Sequence, residues 1–241
     1  MTTEPEVQVK PEDTTLKQFG CMLIIVEITL IAILWIFVKD NIIALADPLQ
    51  SQRYPAFQDI NVMVLIGFGF MMTFIRSYAW SSLTYTFFLN AFITQLYVIF
   101  EAYWSKVLAK GLGTTEVVVS IDITTLIKCS YAVFSAMISA GCIIGRCGPK
   151  DLLIIMSFHV FGYSLNRVSM ETIGMVDAGG SATVHVYGAY FGLTVCLALA
   201  RRARPRTNIK VSYFSNITAF IGTMFMWTYW PSFNYASVAQ N

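Results

Sequence analysis

Apolar residues fall in seven long runs separated by short polar or charged breaks: 19–38, 60–75, 80–100, 121–144, 152–168, 178–200 and 211–230. Most of these runs reach the length a helix needs to cross a hydrocarbon core of about 30 Å. Lipid offers no partner to a free backbone N–H, so each run is predicted to be a helix. The second run is short, and the fifth carries His159, Ser164 and Asn166. The expected fold is all-α: a polytopic membrane bundle of about seven transmembrane helices over residues 19–241. A polar, mildly acidic tail, 1–18, precedes it, with Pro5 and Pro11. The first run also has the look of a signal peptide ending at Ala44-Leu45-Ala46. Its apolar core is too long for that, and Lys39 and Asp40 interrupt the approach to the site, so it reads as a retained anchor.

Composition narrows the function classes. Of 241 residues, 56% are hydrophobic and 12% charged, where a soluble domain carries about 25% charged residues. Disordered, collagen-like and disulfide-scaffold chains are excluded, and a soluble enzyme is disfavoured. A net charge of +2 supplies no basic field for nucleic acid. The five cysteines, Cys21, Cys129, Cys142, Cys147 and Cys196, include no CxxC pair and read as small buried hydrophobes. There is no P-loop, no dinucleotide fingerprint and no HExxH, and no catalytic Ser/His/Asp set stands out. The expectation is therefore a non-enzyme without metal or cofactor.

Lys and Arg set the expected orientation. Seven spans place Lys10, Lys17, Arg76, Arg146, Lys150, Arg201, Arg202, Arg204, Arg206 and Lys210 on one side. Lys39, Arg53, Lys106, Lys110, Lys128 and Arg167 fall on the other. Ten against six puts the N-terminus in the cytoplasm. The run Arg201-Arg202-Ala203-Arg204-Pro205-Arg206 reads as a stop-transfer anchor touching anionic lipid. The sequon Asn216-Ile217-Thr218 falls at the cytoplasmic end of the last run and is expected to stay unmodified.

Ionisable groups at membrane depth are costly, which makes them functional candidates. His185 follows Asp177 by eight residues in the sixth run, roughly 12 Å along a regular helix and so close to the midplane. Gly188 and Gly192 form a GxxxG pair suited to close helix packing. For His159 a satisfied structural histidine is the better reading, and Asp177 doubles as an N-cap candidate. The segment Trp227-Thr228-Tyr229-Trp230-Pro231-Ser232-Phe233-Asn234 is denser in aromatics than an interface belt requires. Pro231 is placed to bend or end its helix. Ring faces at an outer mouth would hold a small cation by about 0.5–2 kcal/mol.

Several motifs resemble a known family. Phe57-Gln58-Asp59-Ile60-Asn61-Val62-Met63, Gly67-Phe68-Gly69-Phe70-Met71-Met72-Thr73-Phe74, the stretch from Asp177 to Gly192, and Met226 to Asn234 resemble the Rh glycoprotein branch of the ammonium transporter (Amt/Rh) family, in family order and spacing. The resemblance implies a trimer of eleven- or twelve-helix subunits, homo- or hetero-trimeric with family members. Each subunit has its own pore between inverted halves. This chain would correspond to the first half plus one leading helix, in a multi-pass protein of the plasma membrane. It implies ammonium or ammonia as solute, with carbon dioxide as a further candidate. His185 would be the first of two pore histidines, and Asp177 the acidic residue near an outer recruitment site. Phe233 would be one of two stacked gate rings, with Asn234 following it, and Tyr131 the other by counting back from Gly145-Arg146-Cys147-Gly148-Pro149.

The chain departs from the family pattern in three places. Arg167 and Asn216 stand where the family carries acidic residues, and a basic mouth would repel ammonium. The second pore histidine belongs to a helix beyond Asn241, so the expectation is a truncated member that does not conduct by itself. Two other readings stay open. One is a non-conducting subunit that associates with longer relatives. The other is a seven-helix receptor, which the expected cytoplasmic N-terminus disfavours.

Overall fold

The computed structural model describes residues 12–37, 48–76, 79–111, 121–200 and 211–238. Among them there is no strand, and seven helices follow in order: α1 Glu12–Phe37, α2 over residues 48–74, α3 Ala79–Gly111, α4 Ile123–Ile143, α5 Pro149–Ile173, α6 over residues 178–200, and α7 Tyr213–Val238. Two of the seven are irregular. In α2, the α-helix Pro48–Val62 passes through a π turn, Met63–Phe68, before Gly69–Met71 and a final 3-10 turn, Met72–Phe74. In α6, a 3-10 turn, Ala178–Gly180, and a π turn, Ser181–Val186, precede the regular helix Tyr187–Ala200.

Each apolar run coincides with one helix, and several helices extend past their runs. α1 takes in residues 12–18, α2 starts at Pro48, and α3 continues to Gly111. Hydropathy marks only the stretch that suits hydrocarbon, whereas a helix continues until its backbone is capped. Gln50–Phe74, Ala79–Ala109, Ile123–Ile143 and Ala178–Leu199 are each long and apolar enough to cross a membrane. Phe19–Trp35 is a shorter apolar helix. α5 carries Lys150, Asp151, Arg167 and Glu171, and α7 is rich in Trp, Tyr, Thr and Ser, which lowers the hydropathy of both.

Local chemistry fixes the helix ends. The Thr125 N–H donates to Asp122 Oδ1 at 2.6 Å and starts α4. Pro149 occupies the first turn of α5, which stops at Gly174 with φ +74°. Pro231 does not end α7, which runs on to Val238. The basic run at residues 201–206 and the Ala44-Leu45-Ala46 sequence lie outside the described residues. All five cysteines are free thiols.

α4 is the centre of the bundle, with Ile127, Tyr131, Phe134 and Met137 buried. α6 lies hard against it, as the glycine spacing suggests. A Cβ on Gly188 would come within 2.7 Å of the Ser135 carbonyl oxygen, and one on Gly192 within 2.9 Å of Ser139 Cα. Two α4 hydroxyls stitch the contact. Ser139 Oγ donates to the Gly188 carbonyl at 2.7 Å, and Ser135 Oγ to the Val184 carbonyl at 3.0 Å. The outer sides of α6 and α7 remain apolar and open, with Tyr190 70%, Leu197 72% and Trp227 83% exposed.

Gly188→Val is expected to push α6 off α4 and destabilise the protein by about 1–3 kcal/mol. Leu197→Val on the open face should leave stability unchanged. Thermal unfolding in detergent would read both variants, and equal melting temperatures would contradict the close-approach account.

Candidate functional site

The irregular start of α6 is the place where the candidate side chains meet. Gly179 and Gly180 have φ of +68° and +65°, a left-handed turn that residues with a Cβ rarely adopt. α7 holds this turn from the side. The Gly179 N–H donates to Ser237 Oγ at 2.6 Å, and a Cβ at Gly179 would collide with Asn234 Oδ1. Asn234 Nδ2 in turn donates to the Trp230 carbonyl at 3.1 Å. Asp177 closes the turn from below. Its carboxylate accepts from the Ala182 N–H at 3.0 Å, the Thr183 N–H at 2.8 Å and Thr183 Oγ1 at 2.7 Å. It therefore caps the helix from beyond the glycine turn rather than from the usual cap position. Burial works against the Asp177 charge. The bonds from Ala182 and Thr183, with Arg167 in electrostatic reach, outweigh it and hold the carboxyl below its ordinary value.

That turn changes the depth of His185. A regular helix from Asp177 would set it roughly 12 Å down, but the helix proper begins at Ser181 and His185 lies within the π turn that follows. π turns of this kind are frequent at functional sites. Phe134 meets the His185 ring edge-on at 5.5 Å between centroids, with Trp230 at 5.6 Å and Phe233 at 6.1 Å. One ring nitrogen bonds to the Gly179 backbone. The Gly179 N–H is already committed to Ser237, so the carbonyl is the acceptor and that nitrogen carries the proton. Nε2 is buried and has no hydrogen-bond partner. It is left as a lone-pair acceptor within an aromatic collar.

Phe233 is fully buried, and Tyr131 meets it edge-on at 4.6 Å. The Tyr131 hydroxyl donates to the Phe233 carbonyl at 2.5 Å, so the extra oxygen has a partner and is not loose in a dry constriction. Phe134, which the sequence reading did not single out, packs against Phe233 at 4.9 Å and also touches His185, Trp230 and Phe68. Phe68 comes from the π turn of α2, so both irregular segments converge on one ring. The signal was present in Phe134 falling one helical turn after Tyr131 in an apolar run. Ser232 Oγ donates to Asp59 Oδ2 at 2.6 Å, which anchors the same end of α7 to α2.

The basic mouth expected from Arg167 does not form. Arg167 is buried, and its Nε lies 2.9 Å from Glu171 Oε1. Lys128 Nζ lies 3.1 Å from both Glu101 Oε1 and Glu171 Oε1. Two cations and two carboxylates neutralise one another across α3, α4 and α5, which removes the repulsion. Asn216 sits exposed in the first turn of α7, where its N–H donates to the Ser212 carbonyl at 3.0 Å. His159 is buried in the core, 3.4 Å from Ser135 Oγ through Nε2, and the Tyr187 hydroxyl donates to its carbonyl at 3.0 Å. A cavity of about 230 Å³ opens elsewhere, where Tyr85 and Thr86 of α3 face Ala140 of α4 and Leu152 of α5.

The sequence model of the Ammonium Transporter Family matches residues 26–241. The chain belongs to that family. Ammonium transporter Rh type C of Bos taurus is 35% identical over 236 residues, a match covering 90% of this chain and 49% of the relative. The Homo sapiens Rh type C protein is 38% identical over 187 residues, covering 76% of this chain and 38% of its own length. A solved structure titled for Nitrosomonas europaea Rh50 and the mechanism of conduction by the Rhesus protein family of channels is also similar. It aligns with a TM-score of 0.63 at 29% identity, covering 76% of this chain and 48% of that one. The chain thus spans about half the length, or less, of the relatives it matches. As a family member with several apolar helices, it is a multi-pass integral membrane protein.

A carboxyl held below its ordinary value in the folded state adds stability that is complete above that value and is lost as pH falls through the lowered one. Asp177→Asn is therefore expected to lower the melting temperature at neutral pH and to flatten the acid limb of the stability curve. Unfolding followed from pH 7 down to pH 3 would check it, and an unchanged acid limb would remove the cap.

Proposed function

We propose that this chain lines part of an Rh-type membrane channel in which ammonia passes His185 as the neutral molecule. The observation that carries this reading is the buried, unpaired Nε2 of His185 inside the collar of Phe134, Trp230 and Phe233. Its relatives are named ammonium transporters, which supplies the solute class. Ammonium cannot enter such a collar cheaply, because an ion loses its hydration there. Neutral ammonia loses far less, and its N–H can donate to Nε2 in place of a water contact. The net process is facilitated passage without chemical energy input.

The remaining roles follow from the contacts. Asp177 acts as a positioning residue, since its oxygens are taken by Ala182 and Thr183 and serve to hold the turn that aims His185. Phe233 and Phe134 narrow the approach, with Tyr131 bracing the Phe233 backbone and Asn234 bracing the Gly179 turn. The membrane domain takes in residues 19–241, with the N-terminus cytoplasmic in the plasma membrane. Lys128 and Arg167, two of the six cations assigned outside, are engaged in ion pairs, which leaves four and supports the same orientation. Assembly is with family members as a trimer.

The open apolar sides of α6 and α7 favour a second reading, in which the chain covers that face with a longer relative and acts as a non-conducting subunit.

Proteoliposomes carrying the chain, alone and mixed with a longer Rh relative, would be given an ammonia jump while internal alkalinisation is followed by stopped flow. Chain-dependent alkalinisation that His185→Ala abolishes in either preparation is the expected result. A rate indifferent to His185→Ala in both would overturn the channel reading, and co-purification with the relative would then favour the subunit.

A further inference from the structure

Beside the ion-pair network, three buried polar atoms stand without protein partners: the Tyr97 hydroxyl, the Tyr163 hydroxyl and Glu101 Oε2. Both tyrosines are fully enclosed and Glu101 is only 7% exposed. Tyr97 and Glu101 lie one turn apart on α3, and Tyr163 faces them from α5, its ring 5.8 Å from that of Tyr97. Glu101 is within electrostatic reach of both tyrosines. None of them touches the His185 collar among the ring contacts described above.

We infer that Glu101, Tyr97 and Tyr163 form an occluded site for one small neutral molecule that both donates and accepts hydrogen bonds, water or ammonia. An ionised carboxylate only accepts, so the guest must donate to Glu101 Oε2, while phenols take either role. Charge decides against a cation. Glu101 and Glu171 are already balanced by Lys128 and Arg167, and a further positive charge would stand uncompensated in an apolar surround. Unpaired buried polar atoms are rare in folded proteins, and three together on facing helices call for a shared partner. His159 Nδ1, also buried and unpaired, sits one turn earlier on α5, with its ring stacked on Tyr163 at 6.2 Å. The site thus lies midway along a polar seam of α5 that runs from His159 to Glu171, with no ring contact to the His185 collar.

Phenylalanine substitution distinguishes an occupied site from a dry one. In a dry site, removing a stranded hydroxyl relieves a desolvation cost, so Tyr97→Phe and Tyr163→Phe should leave the melting temperature unchanged or raised. In an occupied site the guest loses a partner, and each variant should melt about 2–4 °C lower. The full chain in detergent is used throughout. Failure of either variant to fold counts with a lowered melting temperature, because phenylalanine fits the same envelope. A rise or no change in both variants overturns the site. Ammonium chloride against sodium chloride at equal ionic strength and pH 9 separates the two guests. Ammonia as guest stabilises the wild type in a way that Tyr97→Phe removes and His185→Ala retains; water as guest leaves the two salts equal. A failure of His185→Ala to affect alkalinisation would sink the channel reading without touching this one.

Discussion

Polar groups in this bundle have no bulk water to fall back on, and the fold is organised by where most of them find a partner inside the chain. Helices settle the backbone over most of the length. What they leave open is settled by a few side chains at fixed places. Ser135 and Ser139 of α4 reach carbonyls of α6, which is possible only because Gly188 and Gly192 let the backbones approach. Asp177 takes the N–H groups freed by the glycine turn, and Ser237 takes the Gly179 N–H. Removing any of these would strand a donor or acceptor in an apolar surround, which costs more than the bond itself contributes.

The same accounting produces the candidate site. Two left-handed glycines and a π turn are poor secondary structure in themselves, and they persist because α7 and Asp177 over-determine them. Their effect is to turn His185 into the ring of Phe134, Trp230 and Phe233 and to bring the Gly179 carbonyl to one imidazole nitrogen. The proton position then follows from the hydrogen bonds, and the acceptor side of the ring faces the collar.

The number and order of helices were legible in the sequence because apolar runs long enough to span are a strong signal. His185, Asp177 and the glycine pair were legible for a related reason: each breaks the apolar pattern or smooths it. Three things were not legible. The π turns in α2 and α6 depend on tertiary partners from α7, which no local pattern announces. Phe134 looked like any core phenylalanine until its neighbours were in place. Arg167 and Lys128 read in sequence as cations to be sorted by side, although both fall inside apolar runs. Glu171 stands one helical turn from Arg167, a pairing that helix spacing alone permits, but Lys128 lies 27 residues from Glu101 and 43 from Glu171, so the joining of the four charges could only be read in three dimensions.

That neutralisation bears directly on what the collar can admit. An open cation near the mouth would set a barrier against ammonium, and an open carboxylate inside would trap it. Here Arg167 and Lys128 are bound to Glu171 and Glu101, and Asp177 is committed to the α6 backbone. The rings about His185 carry no formal charge. A passing ion would meet neither a fixed counter-charge nor a full replacement for its hydration shell, whereas a neutral solute with one N–H to donate finds a single well-placed acceptor. On the proposed channel reading, selectivity for the uncharged form would be a consequence of how the described charges near the collar pair with one another, and not of any residue that recognises ammonium.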